Sequence, residues 1–166
     1  MANHFEILFD ADSFVPPTTN APDRGMVQDR TFLAFDADTK QTAISKAITL
    51  PATYTGAGTL KANIAYIMES ATSGTVDFEV AVEAITSGDT TDLDAASSFD
   101  TANAASETVP ATAGYLSVMT VTLANKNSVA LGDSVRMSLA RDATDATNDT
   151  ATGAARVLWV SLFEEA

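Results

Sequence analysis

The feature that most constrains this chain is alternation of apolar and polar residues with a period of two. Between Thr75 and Ile85, Val76, Phe78, Val80, Val82 and Ala84 take one parity, and Asp77, Glu79 and Glu83 take the other. Successive side chains of a strand point to opposite faces, whereas a helix would spread those three carboxylates around its axis. The pattern therefore predicts a strand with its carboxylates on the solvent side. Stretch 133–141 repeats it, with Val135, Met137 and Leu139 set against Arg136, Ser138 and Ala140. Stretch 60–69 puts Ala62, Ile64, Tyr66 and Met68 on one face. Stretches 114–123 and 156–163 are apolar on both parities: Tyr115, Met119 and Val121 oppose Leu116 and Val118, and Val157, Trp159 and Phe163 oppose Leu158, Val160 and Leu162. Such strands lie between layers or press against another subunit.

Shorter candidates at 5–9, 31–35 and 43–50 bring the total to about eight strands. Turn-forming residues punctuate them, as in Pro51 to Gly58, Ser73-Gly74, Ser87-Gly88-Asp89 and Leu131-Gly132-Asp133. The Ala-, Ser- and Asp-rich stretch 91–105 reads as a long loop. The predicted fold class is all-β, an antiparallel β-sandwich or jelly roll of about eight strands. Residues 10–29 carry Pro16, Pro17, Asn20, Pro22 and Gly25 and little periodicity. Pro-Pro favours an extended path. The expected organisation is an N-terminal strand and extended arm over 1–29 and a β-sandwich domain over 30–166.

Charge narrows the partners. The 166 residues hold nine Lys and Arg against 22 Asp and Glu, a formal net charge of −13. Nucleic-acid binding needs clustered cations to displace counterions, and the Lys and Arg residues here are scattered, so neither nucleic acid nor an anionic membrane is an expected partner. With no cysteine, thiol catalysis, thiolate zinc sites and disulfides are excluded. No apolar run approaches the ~18 residues of a spanning helix. The N-terminus lacks the basic and apolar regions of a secretory signal, so synthesis in a cytoplasm is expected.

No motif points to catalysis. The single histidine, His4, sits two residues from Glu6 at the N-terminus, where an exposed terminal side chain is the simpler reading than a triad member. No serine lies in a Gly-x-Ser-x-Gly elbow, and Gly56-Ala57-Gly58 lacks the third glycine and the helix of a phosphate-binding loop. No catalytic, cofactor or metal residues are assigned, and no cofactor is expected. Asp142, Asp145 and Asp149, with Asn148, crowd one loop, and Asp89, Asp92 and Asp94 another. Oxygen ligands at such spacing suit calcium, but neither loop has the EF-hand pattern, and solvated acidic loops between strands are common. Spacing alone leaves calcium at Asp142, Asp145 and Asp149 open. A carbohydrate-binding face would need exposed aromatics. Trp159 lies in an apolar strand and reads as core, Tyr54 lies in a Pro/Gly loop and is the one candidate platform, with core packing or loop anchoring the simpler reading, and Tyr66 and Tyr115 fall on strands.

Three stretches resemble the β-sandwich virion proteins of tailed phages. They are the run Arg141 to Gly153 followed by the apolar strand Val157 to Phe163, the run Leu50 to Gly56 leading to a strand that ends Met68 to Gly74, and Pro110 to Tyr115 before the next strand. The resemblance covers roughly residues 43 to 163 and rests on turn chemistry and strand order. It implies a jelly-roll-like sandwich with no catalytic residues. It further implies attachment to a virion, often as a trimer, without settling which part; the expected role is a capsid decoration (cement) protein, a homotrimer bound to the major capsid protein at the virion surface. The alternative is a receptor- or glycan-binding module of a head fibre or tail.

Overall fold

The computed structural model describes residues 3–166, with side chains from Phe5 onward. The side chain of His4 therefore lies outside the described residues, as do Met1 and Ala2. Twelve strands are present among the described residues: β1 (Asn3–Asp10), β2 (Phe14–Val15), β3 (Asp23–Val27), β4 (Arg30–Phe35), β5 (Gln41–Ser45), β6 (Ile48–Thr49), β7 (Thr59–Met68), β8 (Thr75–Ile85), β9 (Asn103–Thr108), β10 (Ser117–Thr122), β11 (Ser134–Arg141) and β12 (Ala155–Glu165). One 3-10 turn, Ala11–Ser13, links β1 to β2. All pairings are antiparallel. The first sheet runs β10-β7-β12-β4-β3, with β1 also on β12; the second runs β2-β5-β11-β8-β9, with β6 also on β11.

The eight expected strands all exist, with 43–50 split into β5 and β6. The additional strands β2, β3 and β9 are short or rich in residues that strands disfavour, and neighbouring strands impose their extended form. Residues 14–15 and 23–27, expected within an extended arm, pair into the second and first sheets respectively. The long loop expected at 91–105 ends at Ala102, where β9 begins to pair with β8.

The core lies between the sheets and is filled by the predicted parities: Leu60, Ala62, Ile64, Tyr66 and Met68 from β7, Val76, Phe78, Val80 and Val82 from β8, and Val135, Met137 and Leu139 from β11. Aromatic contacts tie the layers together. Phe35 of β4 and Tyr66 of β7 both meet Phe78 of β8 edge-on, at centroid distances of 5.9 and 5.5 Å. Tyr66 sends its hydroxyl to Glu107 at 2.8 Å, and Ser117 donates to the same carboxylate oxygen at 2.7 Å. This links β9 of one sheet to β7 and β10 of the other.

Candidate functional site

The carboxylate face of β8 is not the solvated row that its alternation predicts. Asp77 and Glu83 are 5% and 2% exposed. Asp77, Glu79 and Glu83 do point away from the core, as the period of two requires, but loops fold over them. Ser98 donates its backbone N–H to Glu83 Oε1 at 2.6 Å, Asp100 donates to the carbonyl of Val82 at 2.9 Å, and Arg136 from β11 pairs with Glu83. At the other end, Asp77 donates its N–H to Asp149 Oδ2 at 3.1 Å, and Lys40 bridges Glu79 at 2.6 Å and Asp142 at 2.8 Å. Burial pushes the Asp77 carboxyl up to about 6, with the charges of Glu79, Asp145, Asp142 and Asp149 adding to the shift. Burial pushes Glu83 the same way, but Arg136 and Ser98 outweigh it and hold that carboxyl below its usual range.

The loop with Asp142, Asp145 and Asp149 is organised by protein groups. Arg141 ends β11 on the core-facing parity and is fully buried. Its Nε and Nη2 grip Asp149 at 2.8 and 2.7 Å, and the remaining donors reach the carbonyls of Ala151 and Gly153 at 2.8 Å and Phe35 at 3.3 Å. All five N–H groups of the guanidinium are thereby used. Asp142 is taken by Lys40 and by Thr144, whose hydroxyl donates to it at 2.6 Å. Asp145 caps its own turn, accepting from the N–H groups of Thr147 and Asn148 and from the Asn148 side chain. Among the described residues no group of three or more His, Asp or Glu is placed to hold a metal ion.

Tyr54, the one candidate platform, is instead the loop anchor that the simpler reading of its context expects: it is 4% exposed, packs edge-on against Phe5 at 5.8 Å and donates to the carbonyl of Val129 at 3.3 Å. Its Pro/Gly loop folds down because buried Glu164 accepts the N–H groups of Thr55 and Gly58, at 2.8 and 3.0 Å. Trp159, expected in the core, lies partly exposed on the outer face of the first sheet. A β-bulge explains the difference. Along β12, Val157 pairs with Tyr66 and Trp159 with Ala65, so Leu158 has no partner on β7. The extra residue turns both Leu158 and Trp159 outward and restores Val160 and Leu162 to the core. Tyr115 lies in the turn before β10 and is 64% exposed.

Around the bulge the outer face is recessed. One recess of about 410 Å³ is lined by residues including Gln28, Arg30, Ile67, Glu69, Leu116, Arg156 and Leu158. A second of about 380 Å³ is lined by Asp29, Arg30, Thr31, Leu116, Leu158 and Trp159. They share Arg30, Leu116 and Leu158 and so form one groove, of a size ordinary for small-ligand sites. Its floor is braced. Gly25 of β3 pairs with Phe32 of β4, and a Cβ at Gly25 would stand 2.5 Å from the Phe32 ring. That ring carries the Arg156 guanidinium at 4.9 Å, and Arg156 is ion-paired with Glu69. Its wall is the β3–β4 hairpin, closed by Gln28 and Asp29, both at positive φ (45° and 61°). The groove therefore combines an indole and aliphatic carbons with an amide, two carboxylates and two guanidinium groups, and none of its lining residues is serine, histidine or cysteine.

No protein-family model and no curated protein sequence matches the chain. Solved structures do. The C-terminal family 6 carbohydrate-binding module of LamC, a marine laminarinase from Zobellia galactanivorans, aligns over 96% of this chain and 100% of its own length, at 11% identity and a TM-score of 0.52. The arabinose-bound α-L-arabinofuranosidase MgGH51 aligns over 91% of this chain at 14% identity and a TM-score of 0.51, and this chain spans only 23% of that enzyme. At such identities the likeness is one of fold. The chain is an antiparallel β-sandwich of the jelly-roll kind.

Proposed function

We propose that this chain is a non-catalytic glycan-binding module that holds its ligand in the groove on the outer face of the first sheet. The observation that carries this is the bulge at Leu158, which moves the one tryptophan of the chain out of the core and into a recess with Arg30 and Asp29. A sugar ring offers an apolar C–H face and a rim of hydroxyls. An indole beside fixed donors and acceptors meets both. The groove carries the parts for binding but no nucleophile–base pair, and Glu69 is already occupied by Arg156. The fold shared with a carbohydrate-binding module supports the reading without deciding it.

Because Trp159 is the sole tryptophan, its fluorescence reports groove occupancy directly. Titration with soluble polysaccharides should shift or quench that emission and retard the protein in gels containing the ligand. Trp159→Ala should lower affinity at least tenfold in the gel assay, as expected for a stacking residue at a binding hot spot, with far-UV circular dichroism unchanged. A panel of neutral and charged polysaccharides that neither moves the emission nor retards the protein would sink the proposal.

A second reading, a capsid decoration protein, draws on Leu8, Leu116 and Val118. These are exposed on the same outer face, and their aliphatic character suits a protein partner. In that reading three copies would cap a local axis of the major capsid protein at the virion surface. Light scattering that gives a trimer, together with co-sedimentation with capsids and silence in the sugar titration, would favour it over the first.

A further inference from the structure

The charges in the groove narrow the class of glycan, an inference that rests on the glycan-binding reading. Six of the nine cations are ion-paired among the described residues: Arg24, Lys40, Lys61, Arg136, Arg141 and Arg156. In a chain with 22 acidic residues, a cation left over is informative. Lys46, Lys126 and Arg30 have no such pair among the described residues. Of these only Arg30 lines the groove with Trp159. The one hydrogen bond its side chain makes among the described residues runs from Nη1 to the carbonyl of Gln28 at 3.2 Å, which leaves four of its five donors open to that set. The hairpin with two left-handed residues presents it there, and Asp29 next to it makes no ion pair with it. Counted by itself the groove is neutral, with Arg30 and Arg156 against Asp29 and Glu69, inside a molecule of net charge −13.

We infer that the ligand is an acidic glycan, a polysaccharide bearing uronic acid residues, with the uronate carboxylate taken by Arg30 while a sugar ring lies on Trp159. A guanidinium matches a planar carboxylate through two parallel N–H donors. Glu69 neutralises Arg156, so Arg156 belongs to the braced floor and Arg30 serves as the anion receptor. Asp29, whose side-chain oxygens are acceptors, is suited to sugar hydroxyls.

The test titrates the Trp159 emission with a uronic acid oligosaccharide, with the same oligosaccharide after reduction of its carboxyl groups, and with a sulfated neutral oligosaccharide. Wild type should bind the uronate at least tenfold more tightly than the reduced form, the effect of one charge-assisted hydrogen-bonded pair. Arg30→Gln should abolish that preference, so that the native and reduced oligosaccharides bind alike, and Arg30→Lys should restore part of it. Arg30 is exposed, so an unchanged melting temperature is expected in both variants. Equal binding of the native and reduced oligosaccharides would overturn the acidic-glycan inference and leave the glycan reading standing. Preference for the sulfated form would overturn the carboxylate assignment. Discrimination that survives Arg30→Gln would remove Arg30 from the role. No response to any of the three would count against the glycan reading itself.

Discussion

At the scale of single residues, Arg141 is the side chain on which most of the loop chemistry depends. It sits on the core parity of β11 where alternation would place an apolar residue, and it is tolerated there because Asp149 and three carbonyls saturate it. Removing one member of a buried ion pair leaves the other charged and unsolvated. Arg141→Ala should therefore destabilise the domain by about 3–5 kcal/mol, read as a lower midpoint in urea at pH 7. The double variant Arg141→Met with Asp149→Leu should recover part of the loss, because the three carbonyls stay unpaired. That role was not legible in the sequence. The sequence shows an Arg followed by an acidic run, a pattern equally suited to a solvated loop or a calcium site, and only the fold brings residue 149 back under residue 141. The same limit applies to Glu83 and Asp77. Their parity was legible, but their burial depends on loops 89–102 and 142–151 closing over β8.

At the scale of elements, strands with one apolar parity were readable and strands with two were not. Strands β7, β8 and β11 follow simple alternation, and their inward residues are the ones the pattern names. The run Val157-Leu158-Trp159-Val160 is apolar throughout, so nothing in it marks where the parity slips. The bulge is set by pairing with β7, and that one-residue slip decides whether Trp159 is core or groove. The β3–β4 hairpin was hidden for a related reason. Two-residue hairpin turns of this kind favour Asn-Gly, because both positions need positive φ, yet Gln28 and Asp29 occupy them. Left-handed conformations are unfavourable for such side chains and recur where a site needs them. Replacing the pair with Gln28→Asn and Asp29→Gly should raise the melting temperature by about 2–4 °C, equivalent to roughly 1 kcal/mol for a domain of this size. The same change should weaken ligand binding, because Asp29 and the placement of Arg30 belong to the groove. A calorimetric scan paired with the Trp159 titration checks both halves.

At the scale of the whole molecule, the excess of acid shapes how stability responds to pH. Asp77 has its carboxyl raised from 3.8 to about 6 in the fold, so the folded state holds that proton more tightly than the unfolded chain does. Stability linked to Asp77 is then lost as pH rises from about 4 through about 6. Other carboxyls work in the opposite sense. Lys40 and Thr144 hold Asp142 below its usual range, and Arg136 with Ser98 does the same for Glu83 against the effect of burial. Their contributions are present above the ordinary carboxylate range and are lost as pH falls below it. The net charge of −13 at pH 7 adds self-repulsion that relaxes as carboxyls protonate. These three trends place the stability maximum on the acid side of neutrality. Asp77→Asn removes the term that falls between pH 4 and 6. It should raise stability at pH 7 by about 1 kcal/mol, allowing for solvent screening at the loop edge, and leave stability at pH 4 nearly unchanged. Urea midpoints measured from pH 3.5 to 7.5 on both proteins would show this as a flatter curve for the variant. Parallel curves offset by a constant would instead mean that Asp77 is as ionised in the fold as in the unfolded chain, and that the loops over β8 leave it open to water.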